Sequence, residues 1–187
     1  MADQTIQPPT PQGQAQVIAG LDEIALTTVR LEMYAGETRA GTATGFFFRD
    51  DKRLFLLTNR HVVRDEEKVF KPDYLLLRLH TNSKDLRQSA NHRVDLYSDS
   101  KKTQKVWREI APDIDVVAIE LSLSKMTQKY VLKAFTAEQF PVPNVVVGIG
   151  EPVIIVGYPL GFYDEVFNLP VIRQGGIASV YPVPSSP

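Results

Sequence analysis

Three histidines, at positions 61, 80 and 92, are the side chains in this sequence best suited to moving a proton near neutral pH. His61 has the most informative surroundings. It follows the apolar run Leu54-Phe55-Leu56-Leu57, stands three residues after Thr58 and precedes Val62-Val63. A general base must be held at the end of a rigid element and face a cleft, and the end of a strand provides such a mount. The Thr58 hydroxyl is placed to pin the turn that aims the ring. Because a lone histidine after a strand is more often structural or solvated, its meaning depends on its companions. One is Asp115, 54 residues further on, in Asp113-Ile114-Asp115-Val116-Val117-Ala118-Ile119-Glu120-Leu121. A carboxylate there could hold an imidazole in one tautomer and stabilise its charged form. Aspartate at the head of a strand is also an ordinary turn residue, and Asp113 is a rival offset by two positions.

Composition narrows the remaining chemistry. The chain has 187 residues, 43% hydrophobic and 23% charged, which suits a soluble globular protein with a real core. It has no cysteine, so disulfides, thiol catalysis and Cys-built zinc sites are excluded. No His-x-x-x-His or similar spacing occurs, and neither a metal nor a cofactor is expected. With 21 basic and 22 acidic side chains the net charge is -1, which gives no reason to expect nucleic acid or an anionic membrane as partner. Met1 to Pro9 lacks the basic start and apolar run of a secretory leader, and no apolar stretch reaches the roughly 18 residues a membrane span needs. The expectation is a cytoplasmic protein, with a periplasmic or secreted one not excluded.

The elements that must position these residues read as short strands. Residues 1–18 are rich in Gln, Pro and Thr and read as a mobile tail, with one possible helical turn at Val17 to Glu23. Strands follow at Ile24 to Met33, Thr42 to Phe48, Leu54 to Thr58, Tyr74 to Leu79, Arg93 to Tyr97, Lys105 to Ile110 and Val116 to Leu121, with Arg49 to Arg53 as a hairpin turn. Strands at this spacing suggest a small closed barrel or a sandwich. Ser122 to Phe140 reads as a linker with a helical turn near Thr127 to Phe135, ended by Pro141-Val142-Pro143. About three more strands, Val145 to Ile149, Val153 to Gly157 and Val171 to Val180, are too few to close a second barrel.

Gly41-Thr42-Ala43-Thr44-Gly45-Phe46-Phe47-Phe48, a polar turn, and Leu57-Thr58-Asn59-Arg60-His61-Val62-Val63 together resemble the histidine segment of trypsin-like serine peptidases. The form Leu-Thr-Asn-x-His-Val-Val is most similar to the bacterial, disulfide-free branch that includes the HtrA-type proteases. Asp115 resembles the start of the family's aspartate segment, with Val117 where alanine is usual and Ala118 one place later. The family's order is His, Asp, Ser, with about 45 residues between the first two. Two later segments are also similar to the family: Gly150 to Gly161, with its Gly-x-x-Val-x-x-x-Gly-x-Pro-x-Gly pattern, and Arg173 to Val180.

The resemblance implies an all-β, chymotrypsin-like double β-barrel with the first barrel complete and the second partial. The implied units are a tail at 1–18, an N-terminal barrel at 19–121, an inter-barrel linker at 122–144 and a partial C-terminal barrel at 145–187. It also implies a serine endopeptidase acting on protein or peptide substrates, with His61 as general base, Asp115 orienting it and Thr58 in support. The family's serine follows its aspartate by about 90 residues in a Gly-x-Ser-Gly loop, which projects beyond position 187. Ser122, Ser124, Ser179, Ser185 and Ser186 lack that setting. The expectation is therefore a fragment without its nucleophile, inactive alone, whose open second barrel favours self-association. The competing readings are a non-catalytic binding or scaffold module on the same fold and, more remotely, an unrelated all-β binding domain.

Overall fold

The computed structural model describes residues 23–64, 71–140 and 147–178. A short helix α1 (Glu23–Thr27) leads into β1 (Thr28–Ala35), so the first residues of the expected Ile24 to Met33 strand are helical. The Thr27 hydroxyl donates back to the Ile24 carbonyl and closes that turn. β2 (Thr38–Asp50) returns antiparallel after the two-residue loop Gly36-Glu37, and Gly36 has the positive φ of 59° that a tight hairpin needs in first position. β2 and β3 (Arg53–Thr58) are joined by Asp51-Lys52, the middle of the expected polar turn. Then come the short helix α2 (Arg60–Val63), β4 (Tyr74–His80), β5 (Ser89–Asp95), β6 (Trp107–Glu109) and β7 (Val117–Leu121).

These strands form one antiparallel sheet in the order β5-β4-β1-β2-β3-β7-β6. Period-two alternation builds its core. Leu54 and Leu56 of β3, Leu75 and Leu77 of β4, and Val117 and Ile119 of β7 turn inward with Leu31, Phe47, Leu96 and Trp107. The fold is the expected chymotrypsin-like all-β type, but the ladder does not close. Among the described residues the two ends of the sheet meet through a single bridge, Tyr97 with Lys105, where the Val106 N–H donates to the Leu96 carbonyl and the Ser98 N–H to that of Gln104. β6 is only three residues long, too short to carry a full ladder across to β5.

The segment after β7 packs into this core. Helix α3 (Leu123–Lys129) lies earlier than the expected turn at Thr127 to Phe135, and its Met126 and the following Tyr130 are buried. Beyond it, Val131 donates to the His80 carbonyl, Lys133 to that of Leu26 and Phe135 to that of Phe47. A second, two-stranded sheet pairs β8 (Pro152–Gly157) with β9 (Val171–Gly176), joined through a 3-10 turn at Pro159–Gly161. β9 is shorter than the expected Val171 to Val180 strand. Of the expected strand at Val145 to Ile149 the described residues are 147–149, which hold one bridge position and the start of a turn, not a strand, while the tail at 1–18 and the turn before Glu23 lie outside the described residues.

Candidate active site

The register of one strand pair assembles the site. β3 and β7 run antiparallel with Thr58 opposite Val117. Continuing that pairing brings the residues just after β3 beside those just before β7, that is, residues 59–61 beside Asp115. α2 is anchored by Val62 and Val63, which are 2% and 0% exposed, while His61 on the same turn faces out. The two valines after the histidine thus fasten the mount and leave the ring accessible.

His61 Nδ1 lies 2.8 Å from Asp115 Oδ2, and the His61 main-chain N–H donates to Oδ1 at 3.2 Å. Burial alone would raise the Asp115 pKa. The hydrogen bonds from the His61 ring and backbone, the charge of the imidazolium and the Arg60 N–H outweigh it and hold the carboxyl below its ordinary range. An ionised carboxylate only accepts, so the proton between the two groups sits on Nδ1. Nε2 is then the lone-pair nitrogen, and it has no hydrogen-bond partner among the described residues. A ring held in this way can take a proton at Nε2 while its growing charge is stabilised from behind.

Asp115, and not Asp113, meets His61. Two neighbours reach across to the same loop: Asn59 Nδ2 donates to the Asp115 main-chain carbonyl at 3.0 Å and to Oδ2 at 3.2 Å, and Arg60 Nη1 donates to the Pro112 carbonyl. Arg60 also lies 3.8 Å from Glu109. Sequence reasoning passed over Asn59 and Arg60, although both stand inside the histidine motif.

Thr58 works differently from the expectation. It shares the inward face of β3 with Leu54 and Leu56, so its hydroxyl points at the neighbouring strand and donates to the Thr44 carbonyl at 2.9 Å, not to the turn. Thr44 in turn accepts the Tyr158 main-chain N–H on its hydroxyl at 2.9 Å. The described serines include no partner of His61; Ser122 and Ser124 face each other at the start of α3, 3.4 Å apart. Ser179, Ser185 and Ser186 lie outside the described residues. Among the described residues no group of three or more His, Cys, Asp or Glu side chains could hold a metal ion, and no helix is long and apolar enough to cross a membrane.

The antiparallel, mostly β architecture is that of the chymotrypsin-like class. Residues 43–186 match the trypsin-like peptidase domain family, and the chain belongs to it. No individual curated protein matches the sequence.

Proposed function

We propose that this chain is the proton-transfer portion of a serine endopeptidase, related to the disulfide-free HtrA-type branch, in which His61 is the general base and Asp115 holds and stabilises its ring. The pairing of His61 Nδ1 with Asp115 Oδ2 at 2.8 Å carries this reading. In the reaction a serine hydroxyl gives its proton to Nε2 as its oxygen attacks the scissile carbonyl. The same proton then goes to the departing amine, and water releases the acyl group by the same route. Residues 1–187 contain no serine in a Gly-x-Ser-Gly setting. These residues alone supply the base and the orienting carboxylate, but no nucleophile.

The test uses an active-site-directed fluorophosphonate. The 187-residue chain stays unlabelled, and a form extended through a Gly-x-Ser-Gly loop is labelled and cleaves peptides. His61→Ala in that form lowers kcat/KM by about a thousandfold or more. Labelling of the 187-residue chain overturns the claim that it lacks a nucleophile. A continuation of the reading frame without such a loop favours the non-catalytic binding module.

The partners in this reading are protein or peptide substrates and, for the 187-residue chain, a second copy of itself. Ile154 and Ile155 are adjacent on β8, point to opposite faces and are each 58% exposed, and Ile172 of β9 is exposed as well. Exposed apolar side chains on a two-stranded ribbon favour pairing with a second copy.

A further inference from the structure

Asn59 occupies the N-cap of α2 with the extended backbone of that position (φ -71°, ψ 149°), yet its side chain makes no cap hydrogen bond. Asparagine at an N-cap ordinarily turns its side-chain oxygen back onto an amide of the first turn. Here the Asp115 carboxylate takes the main-chain N–H of His61. The capping acceptor thus comes from another element, and the Asn59 amide is free to reach outward. Both acceptors of its Nδ2 belong to Asp115: the main-chain carbonyl and Oδ2, the same oxygen that meets His61 Nδ1.

We propose that Asn59 is a positioning residue for the proton-transfer pair, its amide fixing the Asp115 carboxylate so that Oδ2 faces His61 Nδ1. The proposal rests on the reading of His61 as base and Asp115 as its orienting partner. Asp115 is about half exposed and enters a strand from a loop, so packing alone does not hold its side-chain torsions. The NH2 group has two protons. One satisfies the carbonyl and fixes the backbone, and the other fixes the carboxylate rotor. Loss of the amide removes a donor to the charged carboxylate and frees it to swing. The neutral His61 ring, without a fixed acceptor at Nδ1, then moves toward the Nε2–H tautomer that a free imidazole prefers.

Two NMR readouts on the 187-residue chain test this without any catalytic assay. Long-range nitrogen–proton spectra report the tautomer of each histidine, and carboxyl carbon shifts report the Asp115 titration midpoint. The wild-type chain shows His61 as Nδ1–H. In Asn59→Ala the His61 signal moves toward Nε2–H, and the Asp115 midpoint rises by about 0.5 to 1 pH unit. In Asn59→Asp, which puts a like charge beside Asp115, the midpoint rises further. His80 serves as an internal check on folding, because its Nε2 donates to the Phe167 carbonyl at 2.7 Å and holds the opposite tautomer.

Unchanged His61 tautomer and Asp115 midpoint in Asn59→Ala overturn the positioning role and leave the base pair standing. A wild-type His61 already in the Nε2–H form overturns the base-pair reading itself, and this proposal with it. Should Asn59→Ala lose the His80 signature, the near-isosteric Asn59→Asp decides. There, an Asp115 midpoint that does not rise overturns the proposal.

Discussion

Thr44 accepts the main-chain N–H of Tyr158 on its hydroxyl at 2.9 Å, and its own carbonyl takes the hydroxyl of Thr58 at the same distance. One residue of β2 therefore ties the end of β3, the strand that leads into the histidine turn, to the turn that leaves β8. The join is close. A Cβ placed on Gly157 would lie 3.1 Å from Thr44 Oγ1, so the backbone of β8 packs closely on the Thr44 side chain. Tyr158 is itself buried, with its phenol donating to the Asn168 carbonyl.

Replacement of Thr44 by valine keeps the shape and removes the acceptor, leaving the Tyr158 N–H without its partner beside a buried ring. The expected loss is about 1–3 kcal/mol, read from urea or thermal unfolding, with faster hydrogen exchange at the Tyr158 amide. Thr44→Ser keeps the hydroxyl and retains most of that protection. Equal exchange in the two variants would count against the link.

Gly45 lies where β2 crosses the core. An added Cβ would sit 2.8 Å from Leu56 Cδ1, 3.0 Å from Leu31 Cδ1 and 3.2 Å from the Leu57 carbonyl. The two leucines are fully buried, and the carbonyl belongs to the adjoining strand. Gly45→Ala is therefore expected to destabilise the fold by about 1–3 kcal/mol through overpacking. A denaturation midpoint equal to that of the wild type would show that the sheet can yield there.

His80 makes stability depend on pH on the acid side. Burial is the main cause that lowers its pKa, the hydrogen bond to the Phe167 carbonyl partly opposes it, and Arg78 lowers it further. Burial and Lys129 lower the pKa of His92 in the same sense. A group with a depressed folded-state pKa binds fewer protons when native than when unfolded. Stability is thus complete above the unfolded value near 6.5, falls as pH drops below it, and levels off once the folded protein also protonates. Unfolding free energy measured between pH 8 and pH 5 should show this decline, reduced in a His80→Gln variant. An identical slope in that variant would place the effect elsewhere.

The exposed isoleucines of the β8–β9 ribbon should make the 187-residue chain associate as its concentration rises. Light scattering across a concentration series reads this directly. Lysine at both Ile154 and Ile155 should return the chain toward monomer. A wild-type chain that is monomeric throughout, with full exchange protection over 152–176, would contradict the expectation.

Much of the β core was legible because its pattern is local. The apolar runs Leu54 to Thr58 and Tyr74 to Leu79 mark strands whatever they pair with, and the structure buries every second residue of each. The misreadings have two causes, a local side-chain hydrogen bond in one place and distant contacts in the other. Ile24 to Thr27 looks like strand but closes a helical turn through Thr27. Ser122 to Phe140 looks like a polar connector, yet Met126 and Tyr130 complete the core and the following backbone hydrogen-bonds to three separate elements.

The candidate site divides along the same line. Residue types marked His61 and Asp115 as candidates, with Asp113 as a rival, and the resemblance to trypsin-like peptidases supplied their roles. The antiparallel register of β3 and β7 decided which aspartate meets the ring, since a shift of two residues would have presented Asp113 instead. The same register brought the Asn59 amide to Asp115, while the pairing of β3 with β2 turned the Thr58 hydroxyl toward Thr44. Hydrogen bonds between residues more than fifty positions apart depend on how strands pair, and only the folded chain specifies that pairing.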